Sequence, residues 1–371
     1  MKPVTKVVKT DYCSAIDCAL HIEFSGNVRP CCSAKFGFGN VTVDDIDTIR
    51  SRQVQSKELC ETCEIIEEQS PVTSQRYTFN NTYGVRENKD LKNIDIRWSN
   101  ICNLSCRYCD TYSSSKWRML FNRPKNNDSW SDNLLEDLKN RLHTVDSVFL
   151  VGGEPLLQKP NLRLLDMLDP STNIDILTNA SVNFNKNAIY EKLKKFKNIN
   201  WNLSFDNVGD RFEYVRAGGD WSRLCMNLEI LKDDFGVNNI TFHPIYHIWN
   251  ATRLQEYYEF RNEIDTGINV NWQAVNARTD EHASNSFQVH GHNHKIIQLA
   301  IDEIDRLNLN NQYLDDSKFL TNTKNFLIAQ SEQPQKAQDF LQWIKKNENF
   351  VIPKYSFNLL WPELYNIMIV Q

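Results

Sequence analysis

Three cysteines, Cys102, Cys106 and Cys109, fall within eight residues of the string SNICNLSCRYCD. Cysteine thiolates hold iron–sulfur clusters, and a cubane normally takes four ligands. Three protein thiolates leave one iron with an open position, as catalytic zinc sites keep one for a reactant. A zinc knuckle or three buried thiols are the alternatives, but no histidine stands nearby in sequence and the cysteines directly follow a strand-like run. A second group lies upstream. Six of the ten cysteines fall between Cys13 and Cys63, as C-x4-C-x7-G-x4-CC and then Cys60-Glu-Thr-Cys63. A CxxC turn can chelate one metal, and an S4 set suits zinc or iron–sulfur equally.

Other polar groups recur where strand-like runs end. Val151-Gly152-Gly153-Glu154-Pro155 offers glycines that let the backbone approach a ligand and a carboxylate that accepts from an ammonium group. Thr178-Asn179 ends the next run, Ser204-Phe205-Asp206 the one after, and Arg216 follows in RFEYVRAGG. Ser204 and Asp206, two apart, face the same side of a strand. Turn and helix-cap roles are the alternatives for each.

The elements that must position these groups alternate. Strand runs are predicted at 94–98, 146–151, 173–178, 200–205, 239–248 and 268–275, with amphipathic helices at 132–142, 160–168, 187–196, 221–233 and 251–264. Pro160 and Asn250 are expected to start two of the helices. Six strands alternating with helices imply an α/β fold with a parallel sheet and right-handed crossovers. Ligands then bind beyond the carboxyl ends of the strands, where the motifs fall. Upstream, Leu20, Ile22 and Phe24 alternate with His21 and Glu23 as a half-buried strand, and Ser25-Gly26-Asn27 turns it into a hairpin ending at Cys31 and Cys32. A helix is expected at 44–50, with an acidic first turn.

The bulk properties set limits. The chain has 371 residues and a net charge of −5, with no basic bias toward nucleic acid. No apolar run reaches the ~18–20 residues that span a bilayer, and the N-terminus lacks an apolar signal core. A cytoplasmic chain with reduced thiols and no membrane partner is the expectation.

The Cys102-Asn-Leu-Ser-Cys106-Arg-Tyr108-Cys109 loop, with an aromatic residue before the third cysteine, resembles the hallmark of the radical S-adenosylmethionine (radical SAM) superfamily. The resemblance implies a partial (β/α)6 TIM-type barrel over 92–284. In it, a [4Fe–4S] cluster on Cys102, Cys106 and Cys109 binds S-adenosylmethionine through its open iron. It further implies that Tyr108, Gly152, Gly153, Glu154, Thr178, Asn179, Ser204, Asp206 and Arg216 surround that cofactor, with Glu154 on the methionine amino group. The expected reaction is reductive cleavage to a 5′-deoxyadenosyl radical, followed by hydrogen abstraction.

Residues 1–75 resemble the twitch and SPASM modules of that superfamily: Cys13, twelve residues, Gly26, four residues, Cys31, a gap, then CxxC. The resemblance implies an auxiliary iron–sulfur cluster on Cys13, Cys31, Cys60 and Cys63, with Cys18 and Cys32 as substitutes and zinc as the alternative occupant. In most relatives this module follows the barrel; here it precedes it. Such modules often serve peptide-modifying enzymes, so a peptide substrate is implied, with a reductase such as flavodoxin or ferredoxin as electron donor. The rival readings are a methylthiotransferase acting on nucleic acid and a non-enzymatic iron–sulfur or zinc interaction protein.

His282, His290, His292 and His294 read as a solvated loop, and Cys225 as a buried apolar residue of a helix. His243 and His247 share one side of the fifth strand, as core groups or as substrate contacts. Trp201, Trp249, Trp272 and Trp361 read as packing. Residues 285–371 are expected to be a helical segment, with helices at 294–306 and 335–346 and a start at Pro362.

Overall fold

The computed structural model describes residues 12–69, 74–124, 130–275, 287–309, 317–329, 332–333, 335–347 and 355–370. The fold is α/β with a mostly parallel sheet, in two compact units. One comprises residues 1–100, 126–176 and 188–199; the other comprises 101–125, 177–187 and 200–371.

In the first unit, β1 (Ala19–Ile22), β2 (Asn27–Arg29), β3 (Gly39–Asn40), β4 (Asn93–Ile96), β5 (Ser147–Leu150) and the start of β6 (Asn173–Thr178) share one sheet. β4, β5 and β6 pair in parallel, Ile94 beside Val148 and Val148 beside Ile174. Ile94, Ile96, Val148, Leu150, Ile174 and Ile176 are wholly buried, while Asp95, Phe149 and Asp175 between them are half-buried. That is the two-residue period of a strand. Helices cover it: Pro160 stands at the first position of Pro160–Met167, as expected, and Leu164 and Leu165 are buried beneath it. Ser131–Leu138 buries Leu134, Leu135 and Leu138.

The upstream hairpin forms, but β1 is not half-buried. All four of its residues are buried, because β1 is paired on both edges, antiparallel to β2 and parallel to β4. The register puts His21 opposite both Arg29 and Asp95, and the His21 ring meets Asp95 at 2.7 Å. At the turn, Gly26 has φ +80°, and a Cβ there would stand 2.6 Å from Asn40 Oδ1, so only glycine fits. The expected helix at 44–50 is Ile46–Ser51, capped by Asp45, which accepts from the Thr48 N–H at 2.7 Å. Helices Glu61–Gln69 and Gln75–Tyr83 follow.

In the second unit, the end of β7 (Asn198–Leu203) pairs in parallel with β8 (Ile240–Phe242), and β8 with the later strand Asn269–Val270. The long strand expected at 239–248 is instead divided into β8 and β9 (Ile245–Tyr246). Pro244 between them has no N–H for a ladder, and the next N–H, of Ile245, donates to Asp206 Oδ1 at 2.9 Å. The run 268–275 divides in step into β10 (Asn269–Val270) and β11 (Gln273–Ala274), the latter pairing with β9. Asn250 does not start a helix; Leu254–Ile264 begins four residues later. Asn250 cross-links the intervening loop, accepting from His247 N at 2.9 Å and donating to Ile245 O at 2.7 Å.

The C-terminal helices are His294–Leu309, Ser317–Ile328, Gln335–Asn347, Phe357–Leu360 and Pro362–Ile369. Their buried Phe340, Trp343, Phe357, Trp361, Leu364 and Met368 join Trp117, Tyr214, Val215 and Trp249 in one apolar cluster. Phe287 and Trp343 meet at 4.9 Å, and such aromatic pairs add ~0.5–1.5 kcal/mol beyond area burial. Trp201 and Trp272 are buried as well. The histidine string is not simply a solvated loop. His294 is exposed, but His292 is fully buried with its ring edge toward Phe340, and His290 is half-buried; His282 lies outside the described residues. Cys225 is half-buried on Trp221–Phe235 rather than buried. Among the described residues no helix is long and apolar enough to cross a membrane.

Candidate active site

Within the second unit, the loop carrying Cys102, Cys106 and Cys109 is pinned by its own neighbours. Ser105 N donates to Ala217 O at 2.9 Å and Arg107 N to Val215 O at 2.8 Å. Arg107 is buried, donates from Nε to Tyr214 O at 2.8 Å, and lays its guanidinium 3.8 Å above the Tyr214 ring. Trp117, on the following helix Ser115–Leu120, donates from Nε1 to Cys106 O at 2.9 Å. Ser115 Oγ accepts from Cys102 N at 3.1 Å. A loop fixed at this many points keeps its sulfurs in register without regular secondary structure.

The three thiols are close enough that Cys102 and Cys106 both raise Cys109 electrostatically, after burial, which is the larger cause. Burial also pushes Cys106 up to about 11, against the pull of the Arg216 guanidinium. Leu104 N lies 3.4 Å from Cys102 Sγ, and Asn179 Nδ2 lies 3.8 Å from the same sulfur. N–H donors toward sulfur are what a thiolate-bound cluster uses to tune its potential. Among the described residues, no three His, Cys, Asp or Glu side chains stand in the arrangement that holds a single ion. The fit of this loop to a [4Fe–4S] cluster rests on its donor chemistry: three adjacent thiols, amide N–H groups beside one sulfur, and a basic residue next to another.

Behind the loop sits a buried polar hub. The Asp206 carboxylate is wholly inaccessible. Its Oδ2 accepts from Arg216 Nε at 2.8 Å and from the Tyr108 hydroxyl at 2.8 Å, and its Oδ1 from Arg216 Nη2 at 3.1 Å and from Ile245 N. Arg216 Nη2 also donates to Ser204 Oγ at 3.1 Å. Burial alone would raise Asp206, but Arg216 and His247 outweigh it and hold the carboxyl well below the usual range. Tyr108 is raised well above its ordinary value, chiefly by burial. Four of the residues singled out from sequence, Tyr108, Ser204, Asp206 and Arg216, are thus brought together. His247, for which the sequence allows a core or a substrate-contact role, lies against Tyr108 with ring centroids 5.1 Å apart and planes tilted by 38°, and places Nε2 3.8 Å from Asp206 Oδ2. His243 is lowered by burial and by Arg216; with the strand broken at Pro244, no strand period sets it on the side of His247.

Thr178 and Asn179 close the end of β6. Thr178 O accepts from Ser204 N at 2.8 Å, and Thr178 Oγ1 from Ala180 N at 3.1 Å. Asn179 Nδ2 donates to Asn103 Oδ1 at 2.9 Å, tying the strand end to the cysteine loop.

The Gly152-Gly153-Glu154-Pro155 turn lies in the first unit. Gly152 has φ +127°, and a Cβ there would come within 3.0 Å of Ser99 O. Gly153 N reaches the same carbonyl at 3.3 Å. Glu154 is buried and caps the short turn Pro155–Leu157, accepting from Leu156 N at 3.1 Å.

The first unit also gathers the upstream cysteines. The Cys13 thiol hydrogen-bonds Cys60, drawing Cys60 below its ordinary value and raising Cys13. Cys13 feels Cys31, Cys31 feels Cys63, and Cys63 feels Cys60. Burial pushes Cys31 up to about 12. Cys18 lies elsewhere, bonded to Ser14 O at 3.0 Å and influenced by Arg86 and Arg50. Cys32 is exposed and faces Asp95, Arg97 and Arg29. Sequence reading did not anticipate Arg76. This buried cation pairs with Glu67 and directs its backbone N–H to Cys63.

Residues 96–261 match the family model for the radical SAM superfamily. The chain is 28% identical over 214 residues to the radical SAM cyclopropyl synthase TigE of Paramaledivibacter caminithermalis, covering 53% of this chain and 43% of that one. The chain thus spans less than half the length of that curated relative. Among solved structures, anSMEcpe with bound AdoMet is similar with a TM-score of 0.42 and 16% identity, over 58% of this chain and 59% of that one. SuiB of Streptococcus suis bound to precursor peptide SuiA gives a TM-score of 0.41 and 16% identity, over 81% and 68%. Over residues 96–261 the chain is thus similar to the radical SAM superfamily, whose enzymes work with a [4Fe–4S] cluster and S-adenosylmethionine.

Proposed function

We propose that this chain is a radical SAM enzyme in which Cys102, Cys106 and Cys109 hold the cluster that binds S-adenosylmethionine. The observation that supports the reading is the pinned loop that carries the three cysteines, with Tyr108 tied through Asp206 to Arg216. When bound, the cluster supplies the electron that cleaves S-adenosylmethionine to methionine and a 5′-deoxyadenosyl radical, which takes a hydrogen atom from the substrate. The protein's own residues orient and shield. Asp206 fixes the planes of Arg216 and Tyr108. Ser204 and Arg216 present polar groups to the ribose and carboxylate. Asn179 and the Leu104 N–H act on the Cys102 sulfur. Gly152 and Gly153 open room for the methionine end, with Glu154 as acceptor for its ammonium group.

The three-part organisation follows from the same reading: a twitch-like module at 1–75, the barrel core at 92–284 and a helical segment at 285–371. Cys13, Cys31, Cys60 and Cys63 are the ligands of an auxiliary iron–sulfur cluster, supported by their mutual coupling and by the separate surroundings of Cys18 and Cys32. The substrate is a peptide, a reading supported by the likeness of this module to those of peptide-modifying members. A flavodoxin or ferredoxin in the cytoplasm is the electron donor. Anaerobic reconstitution tests the cluster assignments. Two cubanes give about eight irons per chain; about four irons with one zinc refutes the auxiliary cluster.

A further inference from the structure

The His247 imidazole is fully buried, yet among the described residues neither ring nitrogen has a hydrogen-bond partner. Burying a polar group without a partner is costly, and native structures keep such groups where they have a task. The surroundings of His247 point to one. Its ring lies between Tyr108, at 5.1 Å, and the edge of Trp249, at 5.4 Å. Its Nε2 stands 3.8 Å from Asp206 Oδ2, the oxygen already shared by Tyr108 and Arg216.

The backbone around His247 is unusually constrained. Its N–H is held by Asn250 Oδ1 at 2.9 Å, and Asn250 Nδ2 reaches Asp206 O at 3.3 Å and Ile245 O at 2.7 Å. Ile245 in turn donates to Asp206 Oδ1. The imidazole therefore rides on a loop cross-linked to the segment that carries the carboxylate it approaches. A movement of about 1 Å brings Nε2 to the ~2.8–3.0 Å of a hydrogen bond.

We propose that His247 is a positioning residue for the cysteine loop: it fixes the Tyr108 ring by packing against it and supplies a further donor to Asp206. Tyr108 immediately precedes Cys109, so the orientation of its ring is coupled to that of the loop. The proposal rests on the reading of this loop as the cluster loop. It explains why an imidazole, rather than an apolar ring, occupies the Tyr108 side of the hub.

The test uses two arms. In the cofactor-free protein, thermal unfolding of His247→Phe, Asp206→Asn and the double variant measures coupling without any cluster. The midpoint shifts should be non-additive, the double variant losing clearly less than the sum; additive shifts overturn the proposal. In anaerobically reconstituted protein, His247→Phe keeps the ring contact with Tyr108 and the iron content. It should lower kcat/KM for S-adenosylmethionine cleavage about tenfold and alter the electron paramagnetic resonance signal of the reduced cluster, while His247→Gln restores a donor and recovers most of both. An unchanged signal with wild-type kcat/KM in His247→Phe overturns the proposal, as does equal impairment of Phe and Gln variants. Wild-type protein that neither holds iron nor cleaves S-adenosylmethionine refutes the underlying enzyme reading instead, and the thermal arm still decides the His247–Asp206 coupling.

Discussion

Replacing Asp206 by alanine removes the carboxylate on which four donors converge, two of them from Arg216. Both side chains of the ion pair are almost wholly buried. Removing one partner of a buried pair costs about 3–5 kcal/mol, because the other charge is left uncompensated. The Ile245 N–H, which has no ladder partner where Pro244 interrupts the strand, adds about 1 kcal/mol as an orphaned donor. The expected loss is therefore about 4–6 kcal/mol, a large part of the stability of an ordinary domain. Urea unfolding of the cofactor-free protein measures it directly. The double variant Asp206→Leu, Arg216→Met should cost less than Asp206→Ala alone, since apolar replacement of a whole buried pair is often tolerated. The acid limb carries a second signature. The folded-state carboxyl of Asp206 is depressed, so its contribution is fully present above the unfolded value of about 3.9 and is lost as pH falls below that toward the folded value. Asp206→Asn should flatten that loss. A cost below about 1 kcal/mol for Asp206→Ala, or additive losses for the pair, would refute the hub as the element holding this site together.

Other outcomes follow from the same geometry. Gly152→Ala forces a side chain onto a left-handed backbone against Ser99 O. It should destabilise by about 1–2 kcal/mol and raise KM for S-adenosylmethionine more than it lowers kcat. Iron analysis should show that Cys60→Ala and Cys63→Ala each abolish about half of the reconstituted iron, while Cys18→Ala and Cys32→Ala leave it intact. Lys336 is buried, donates to His290 O, and is lowered to about 8 by burial. The unfolded chain then binds more protons between pH ~8 and ~10.4, so thermal stability should rise with pH across that window. Lys336→Met should abolish the rise.

How far the sequence could be read depended on whether a residue's role was local. The cysteine loop, the GGEP turn, Pro160 and Pro362 declared themselves because spacing or backbone chemistry fixes their place. β6 was legible to the residue, since Ile174, Ile176 and Thr178 alternate with Asn173, Asp175 and Leu177 over a strand with one inaccessible face. The fifth and sixth strands were misread as continuous because the hydrophobic pattern carries across Pro244, whereas the hydrogen bonds do not; the Ile245 N–H goes to a carboxylate about forty residues earlier. His21 read as the exposed phase of a hairpin because nothing local reports that β4 covers the second edge. Asn250, His247 and Arg76 act only through distant partners, and no motif surrounds them. The separation of Cys13, Cys31, Cys60 and Cys63 from Cys18 likewise depends on how the chain returns from 60–63 to 13.

The most direct measurement is the formation of 5′-deoxyadenosine by the anaerobically reconstituted, dithionite-reduced protein given S-adenosylmethionine, compared with Cys106→Ala. The wild-type chain should release methionine and 5′-deoxyadenosine in equal amounts, and the variant none above background. Cleavage that persists in Cys106→Ala, or a wild-type protein that holds four or more irons yet leaves S-adenosylmethionine intact, would contradict the radical SAM reading.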